Sequence, residues 1–118
     1  MLSREDLRRA CLSRQGAYED FPFGPEAAVY KVGGKMFALI PVVADPPSIS
    51  LKCDPAWAEI LRQTYPAVTP GYHFNKKHWN TILADASIPD DEIEEMVVHS
   101  YGLVLKSLPK KLREELGG

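Results

Sequence analysis

Apolar residues in this chain recur at helical spacing in three places and at strand spacing in five. In "SREDLRRACLSR" Leu7, Ala10 and Cys11 fall at i, i+3 and i+4, one stripe of a helix. Ser3 stands where an N-cap would, with Asp6 in the reciprocal position, and Gly16 ends the element. In "AVYKVGGKMFALI" two apolar or alternating runs flank Gly33-Gly34, a pair suited to a tight two-residue turn, which predicts paired strands over 27–32 and 35–41. The prolines of "ADPPS" forbid continuation, because proline lacks an amide donor. "SISLKC" then supplies a third strand with Ile49, Leu51 and Cys53 on one face.

"DPAWAEILRQTYP" opens a second helix with Asp54 as N-cap and Pro55 at the first helical position. Trp57, Ile60, Leu61 and Thr64 form its stripe. Residues 70–74 and 78–83 read as two more strands around Asn75-Lys76-Lys77, asparagine being tolerant of left-handed backbone. The third and longest helix begins in "IPDDEIEE" and turns Ile93, Met96, Val97, Ser100, Tyr101, Val104 and Leu108 inward before Pro109. The stretch "GAYEDFPFGPEAA", with two prolines and two glycines, is expected as a loop that lays Tyr18, Phe21 and Phe23 over the core. "KKLREELGG" is expected as a mixed-charge tail with at most one loosely held turn.

The resulting order is α-β-β-β-α-β-β-α: an α+β fold, a two-layer sandwich whose five-stranded antiparallel sheet carries its helices on one face. The other face is left open to a ligand, a nucleic acid or a partner chain. A chain of 118 residues suffices for one core, so residues 1–118 are read as a single domain. Cys11 and Cys53 have no C-x-x-C spacing and are expected as small buried hydrophobes. The charged start lacks the apolar core of a signal peptide, and no run approaches the roughly 20 apolar residues of a membrane span, so a cytoplasmic protein is expected.

The formal charge of −2 argues against indiscriminate binding to nucleic acid. That average hides a segregation. Residues 85–95 hold Asp85, Asp90, Asp91, Glu92, Glu94 and Glu95 with no base, whereas 70–83 hold Lys76 and Lys77 with no acid. The acids also suit a helix start.

These residues carry a resemblance. "FPFG", the "VGGKMFAL" hairpin, "SLKCDP", and "PGYHFNKKHWNTI" followed by "SIPDDEIEEMVVHSY" are similar, in order and spacing, to the MmcQ/YjbR family of small bacterial proteins, and the similarity covers nearly the whole chain. It implies the same α-β3-α-β2-α order, a grouping with secretion-chaperone-like folds, and two hairpins described as a double-wing DNA-binding arrangement. Carried over, the wings are Tyr30 to Phe37 and Tyr72 to Trp79, with Lys76, Lys77 and Trp79 at motif positions. The acidic total and the uncharged Gly33-Gly34 tip depart from a strongly basic wing and imply weak affinity.

The candidate nucleic-acid-binding residues are therefore Lys31, Lys35, Lys52, Lys76 and Lys77 for phosphates, His78 and Asn80 for base edges, and Trp79 as a strut or stacking ring. Arg62 extends the patch if the second helix ends beside it. Binding through so few contacts is expected to be weak and salt-dependent. The alternative is a protein or peptide partner, or self-association, through the open face or an edge strand. His73 and His78, five residues apart across a turn with no third ligand near in sequence, do not make a zinc site. His99 is expected to be partly buried and hydrogen-bonded. No nucleophile, base and orienting group share a face, and no phosphate-cradling loop or dinucleotide fingerprint occurs, so neither catalysis nor a cofactor is expected.

Overall fold

The computed structural model describes residues 1–71 and 74–117. In chain order the elements are α1 (Arg4–Leu12), β1 (Tyr18–Asp20), β2 (Ala27–Val32), β3 (Lys35–Pro41), β4 (Ser48–Lys52), α2 (Pro55–Thr64), β5 (Val68–Pro70), β6 (Trp79–Leu83), α3 (Asp90–Ser107) and α4 (Lys110–Glu115). The strands form one antiparallel sheet in the order β1-β2-β3-β4-β6-β5. Three of the helix starts follow from the sequence. Ser3 accepts from the Asp6 amide while Asp6 accepts from the Ser3 amide, closing the capping box. Asp54 accepts from the amides of Ala56 and Trp57 ahead of Pro55. α3 has three acids in its first turn, where the helix dipole favours them.

The sheet has six strands, not five. The missing one is β1, which lies inside the segment expected to be loop. Three residues are too few to display an alternation, and β1 is held by side chains: Glu19 accepts from Arg8 Nε of α1 at 2.7 Å and from the hydroxyl of fully buried Tyr30 at 2.7 Å. On the opposite side of the strand Asp20 pairs with Lys31 at 2.9 Å. Residues 110–117 also exceed their expectation. Leu112 and Leu116 of the α4 segment pack on the core, so this is a docked helix rather than a loose turn.

Every helix lies on one side. Ala28, Tyr30 and Val32 of β2, Phe37, Ala38 and Ile40 of β3, Ile49 and Leu51 of β4, and Ile82 of β6 point inward and are buried with Leu7, Cys11, Ala58, Ile93, Val97 and Val104 of the helices. Burial pushes the Cys11 thiol up to about 12 and the Cys53 thiol up to about 11, so both behave as inert hydrophobes.

A polar tie between α3 and the sheet crosses the inner layer at Ser100. The pairing of β2 with β3 shifts register at Tyr30/Lys31, and the β3–β4 ladder ends at Ala38↔Leu51. One residue further on, the ladder is replaced by a side chain. The Ser100 hydroxyl of α3 accepts from the Lys52 amide at 2.9 Å and donates to the Phe37 carbonyl at 2.6 Å. Ser100 is fully buried, so no water can substitute. Ser100→Ala would leave a buried N–H and a buried C=O without partners, at roughly 1–3 kcal/mol each. The expected result is a loss of about 2–4 kcal/mol in urea unfolding, with far-ultraviolet circular dichroism unchanged below the transition.

Candidate nucleic-acid interface

The two glycines between β2 and β3 sit at the sheet end where β3 begins. Because β4 is antiparallel to β3 and pairs Lys52 with Trp79 of β6, the turn ahead of β6 lies at that same end. The Asn75 turn and the Gly33 turn therefore project from one edge of the molecule. Separated by roughly three strand spacings, they lie about 15 Å apart.

α3 runs lengthwise along the sheet toward these turns. At its start Glu92 accepts from the Tyr65 hydroxyl at 2.5 Å and Asp90 pairs with the N-terminus at 3.4 Å. At its end Ser107 accepts from Lys35 Nζ at 3.5 Å and Leu108 packs behind Gly33. This direction carries Lys106 to the turn end, and α4 adds Lys110 and Lys111 there. All eight lysines of the chain, at 31, 35, 52, 76, 77, 106, 110 and 111, thus belong to one end, with Asp20, which pairs with Lys31, and Asp54, Glu114 and Glu115 the principal acids among them. Glu26, Asp45, Asp85 and the Asp90–Glu95 run belong to the other. Lys106, Lys110 and Lys111 were not among the residues singled out by sequence. The i, i+4 spacing of Leu108, Leu112 and Leu116 is the signal that could have placed them.

The candidate residues fare unequally. Lys76 and Lys77 are exposed at the Asn75 turn, where the Asn75 carboxamide accepts from the Lys77 amide at 2.9 Å. Lys52 is half-buried on the outer sheet face, and Lys31 shares that face but is held by Asp20. Trp79 stacks on Phe74 with ring centroids 4.8 Å apart. The half-buried His78 has its carbonyl taken by the Cys53 amide at 2.7 Å.

Asn80 does not reach solvent, contrary to its expected role at a base edge. It points inward beneath α2, 1 % exposed, accepting from Arg62 Nε at 2.6 Å and donating to the Ala58 carbonyl at 3.4 Å. Strand alternation dictates this: with Trp79 and Thr81 outward, residue 80 must face the helices. Arg62 is likewise spent inward, since its guanidinium also donates to the carbonyls of Lys76 and Trp79 and pins the turn. Among the described residues the strand ahead of this turn is β5, Val68–Pro70, where the expected strand spanned 70–74. Tyr72 and His73, part of the expected wing, lie outside the described residues. The first hairpin is backed from inside as well: at Gly33, with φ +57°, a Cβ would sit 2.5 Å from Leu108 Cδ1.

Over residues 12–103 the chain matches the family model described as YjbR. The chain belongs to the YjbR family. Among its relatives in that family are YjbR of Escherichia coli strain K12, 36% identical over 94% of each chain, and YbdF of Escherichia coli O157:H7, 40% identical over 77% of this chain and 75% of YbdF. The crystal structure of Deinococcus radiodurans protein DR2400, a DUF419 domain, superposes with a TM-score of 0.92 at 42% identity, covering 99% of this chain and 89% of that one. A Pseudomonas syringae protein, at 26% identity, superposes with a TM-score of 0.75 over 87% of this chain and 99% of its own. No described helix is long and apolar enough to cross a membrane.

His99 is half-buried on α3. Its Nε2 accepts from the Asp54 amide at 3.1 Å and its ring meets Trp57 edge-on at 4.6 Å. Burial holds its pKa below the ordinary 6.5, outweighing the attraction of Asp54 and Glu95 and acting with the repulsion of Lys106. The folded state therefore binds its proton less readily than the unfolded chain. Stability from this group is present above pH 6.5 and is lost as pH falls through the depressed folded value. Unfolding free energies between pH 7.5 and 5 should decline in the native chain and flatten across that window in His99→Gln. The window lies above that of the carboxylates of Glu19 and Asp20, held low by Arg8 and Lys31, which contribute their own loss in stronger acid.

Proposed function

We propose that this YjbR-family protein binds nucleic acid, holding the phosphate backbone against the sheet end that carries both turns. The observation that supports this reading is the gathering of all eight lysines at that end while the acidic run lies at the other. Phosphate recognition needs a local field rather than a basic total, and clustered ammonium groups supply one. The double-wing description fits only loosely, because both turns are held from behind, by Leu108 and by Arg62. A surface applied to phosphates suits them better than ribbons inserted in a groove. Lys76, Lys77, Lys110 and Lys111 are the outermost contacts on this reading, with Lys35 and Lys106 between them.

The test is salt dependence. For duplex DNA the slope of log K against log salt is about −0.9 per phosphate contact. Lys76→Ala/Lys77→Ala and Lys110→Ala/Lys111→Ala should each flatten the slope by about one to two in fluorescence anisotropy, whereas Glu94→Gln at the other end should leave it unchanged. An absence of binding at low salt would refute the reading.

A second reading, association with another copy of the chain, is favoured by the acidic end, where Phe23 is 64 % and Val43 92 % exposed. On that reading light scattering shows a concentration-dependent dimer that Phe23→Ser with Val43→Ser abolishes. A strict monomer at high concentration would dismiss it.

A further inference from the structure

The outer face of the sheet carries a row that the edge lysines do not explain. Registers place Tyr18 of β1 beside Lys31 of β2, Lys31 beside Met36 of β3, and Lys52 of β4 beside Trp79 of β6. From Tyr18 to Trp79 the row crosses four strand spacings, about 19 Å. An aromatic ring stands at each margin, with a lysine one strand in from each. Next to the row the hydroxyls of buried Ser50 and half-buried Thr81 meet at 3.0 Å and satisfy each other within the sheet.

Of this face Tyr18 is exposed and Lys31, Met36, Leu39, Lys52, Trp79 and Thr81 are half-covered, whereas Val29 and Ser50, which alternation also turns outward, are buried. Among the described residues all helix packing falls on the inner side.

We infer that this outer face seats unpaired bases, so that the nucleic acid held by the lysine end is single-stranded. Tyr18 and Trp79 act as stacking rings and Lys52 as the central phosphate contact. The inference rests on the reading proposed above and narrows it.

Three observations carry it. The row combines cations with rings that accept any base, the combination single strands require. Trp79 is already fixed by its stack on Phe74, so little freedom is lost when a base joins it. A duplex keeps its bases stacked inside and offers a flat sheet only phosphates, which leaves Tyr18, 42 % exposed, without a role. The Lys31–Asp20 pair fits the same picture, because it lays a lysine across the β1–β2 boundary without adding net charge to the middle of the row.

The test compares a labelled oligothymidylate of about 12 nucleotides, within the roughly 4–16 nucleotide range of such sites, with a duplex of equal length at one salt concentration. The single strand should bind more tightly. Tyr18→Ala and Lys52→Ala should each weaken it about five- to tenfold, with a smaller effect on the duplex. The protein's second tryptophan, Trp57, packs on His99 on the inner side. Quenching of intrinsic fluorescence by the single strand should therefore disappear in Trp79→Phe, a variant that keeps a ring against Phe74. Equal affinity for both forms, with quenching intact in Trp79→Phe, would overturn the inference while the lysine variants still flatten the salt slope. Failure of both forms to bind at low salt would instead overturn the reading beneath it.

Discussion

One buried hydroxyl sets the frame in which every other placement makes sense. Where β3 and β4 separate beyond Ala38↔Leu51, the next amide and carbonyl would face each other across a gap in an apolar layer, and Ser100 fills it. A buried polar group without a partner costs as much as several packed methylenes contribute, so α3 can dock only where its serine meets both. That requirement fixes the position of α3 along the sheet, and with it which end of the helix reaches which end of the strands. Ser107 then meets Lys35, Leu108 comes to lie behind Gly33, and the helix start reaches Tyr65.

Charge separation follows from the same docking. Acids gather at the start of α3 because its amides are unsatisfied there, and Lys106 suits its end for the opposite reason. A helix of 18 residues is about 27 Å long, so forces that act within one turn at each terminus become a difference between the two ends of the molecule. α4 continues the lysine side, since Leu112 can reach the back of the Gly33 turn only from there. The candidate surface is thus assembled from segments more than seventy residues apart, none of which is basic enough to draw attention by itself.

This explains what was legible beforehand. Caps and prolines write their meaning within four residues, so the starts of α1 and α2 could be read directly, as could the Gly33-Gly34 turn. α3 showed itself through a stripe long enough to exclude other periods. β1 could not be read, because its reason for existing is Glu19 bonding to Arg8 and Tyr30, partners that only the tertiary fold assembles. Asn80 was misread because its polarity suggested solvent. Alternation from Trp79 places it inward, and Arg62, expected to enlarge a basic patch, arrives to satisfy it. The lysines at 76 and 77 were visible as a pair, but their convergence with 110 and 111 depends on sheet order.

The remaining tension is between an acidic protein and an anionic ligand, and distance decides it. The molecule extends 39 Å along its longest axis, whereas at physiological ionic strength the screening length is about 8 Å. Carboxylates at the start of α3 lie some three screening lengths from Ser107, so a phosphate at the turn end, as proposed, would respond mainly to the lysines and to Asp20, Asp54, Glu114 and Glu115. The net charge of −2 governs solubility and long-range approach at low salt, where the acidic end would orient the proposed nucleic acid toward the opposite pole. An acidic half is therefore compatible with the proposed nucleic-acid site and would confine such binding to one end, which a uniformly basic domain of this size could not do.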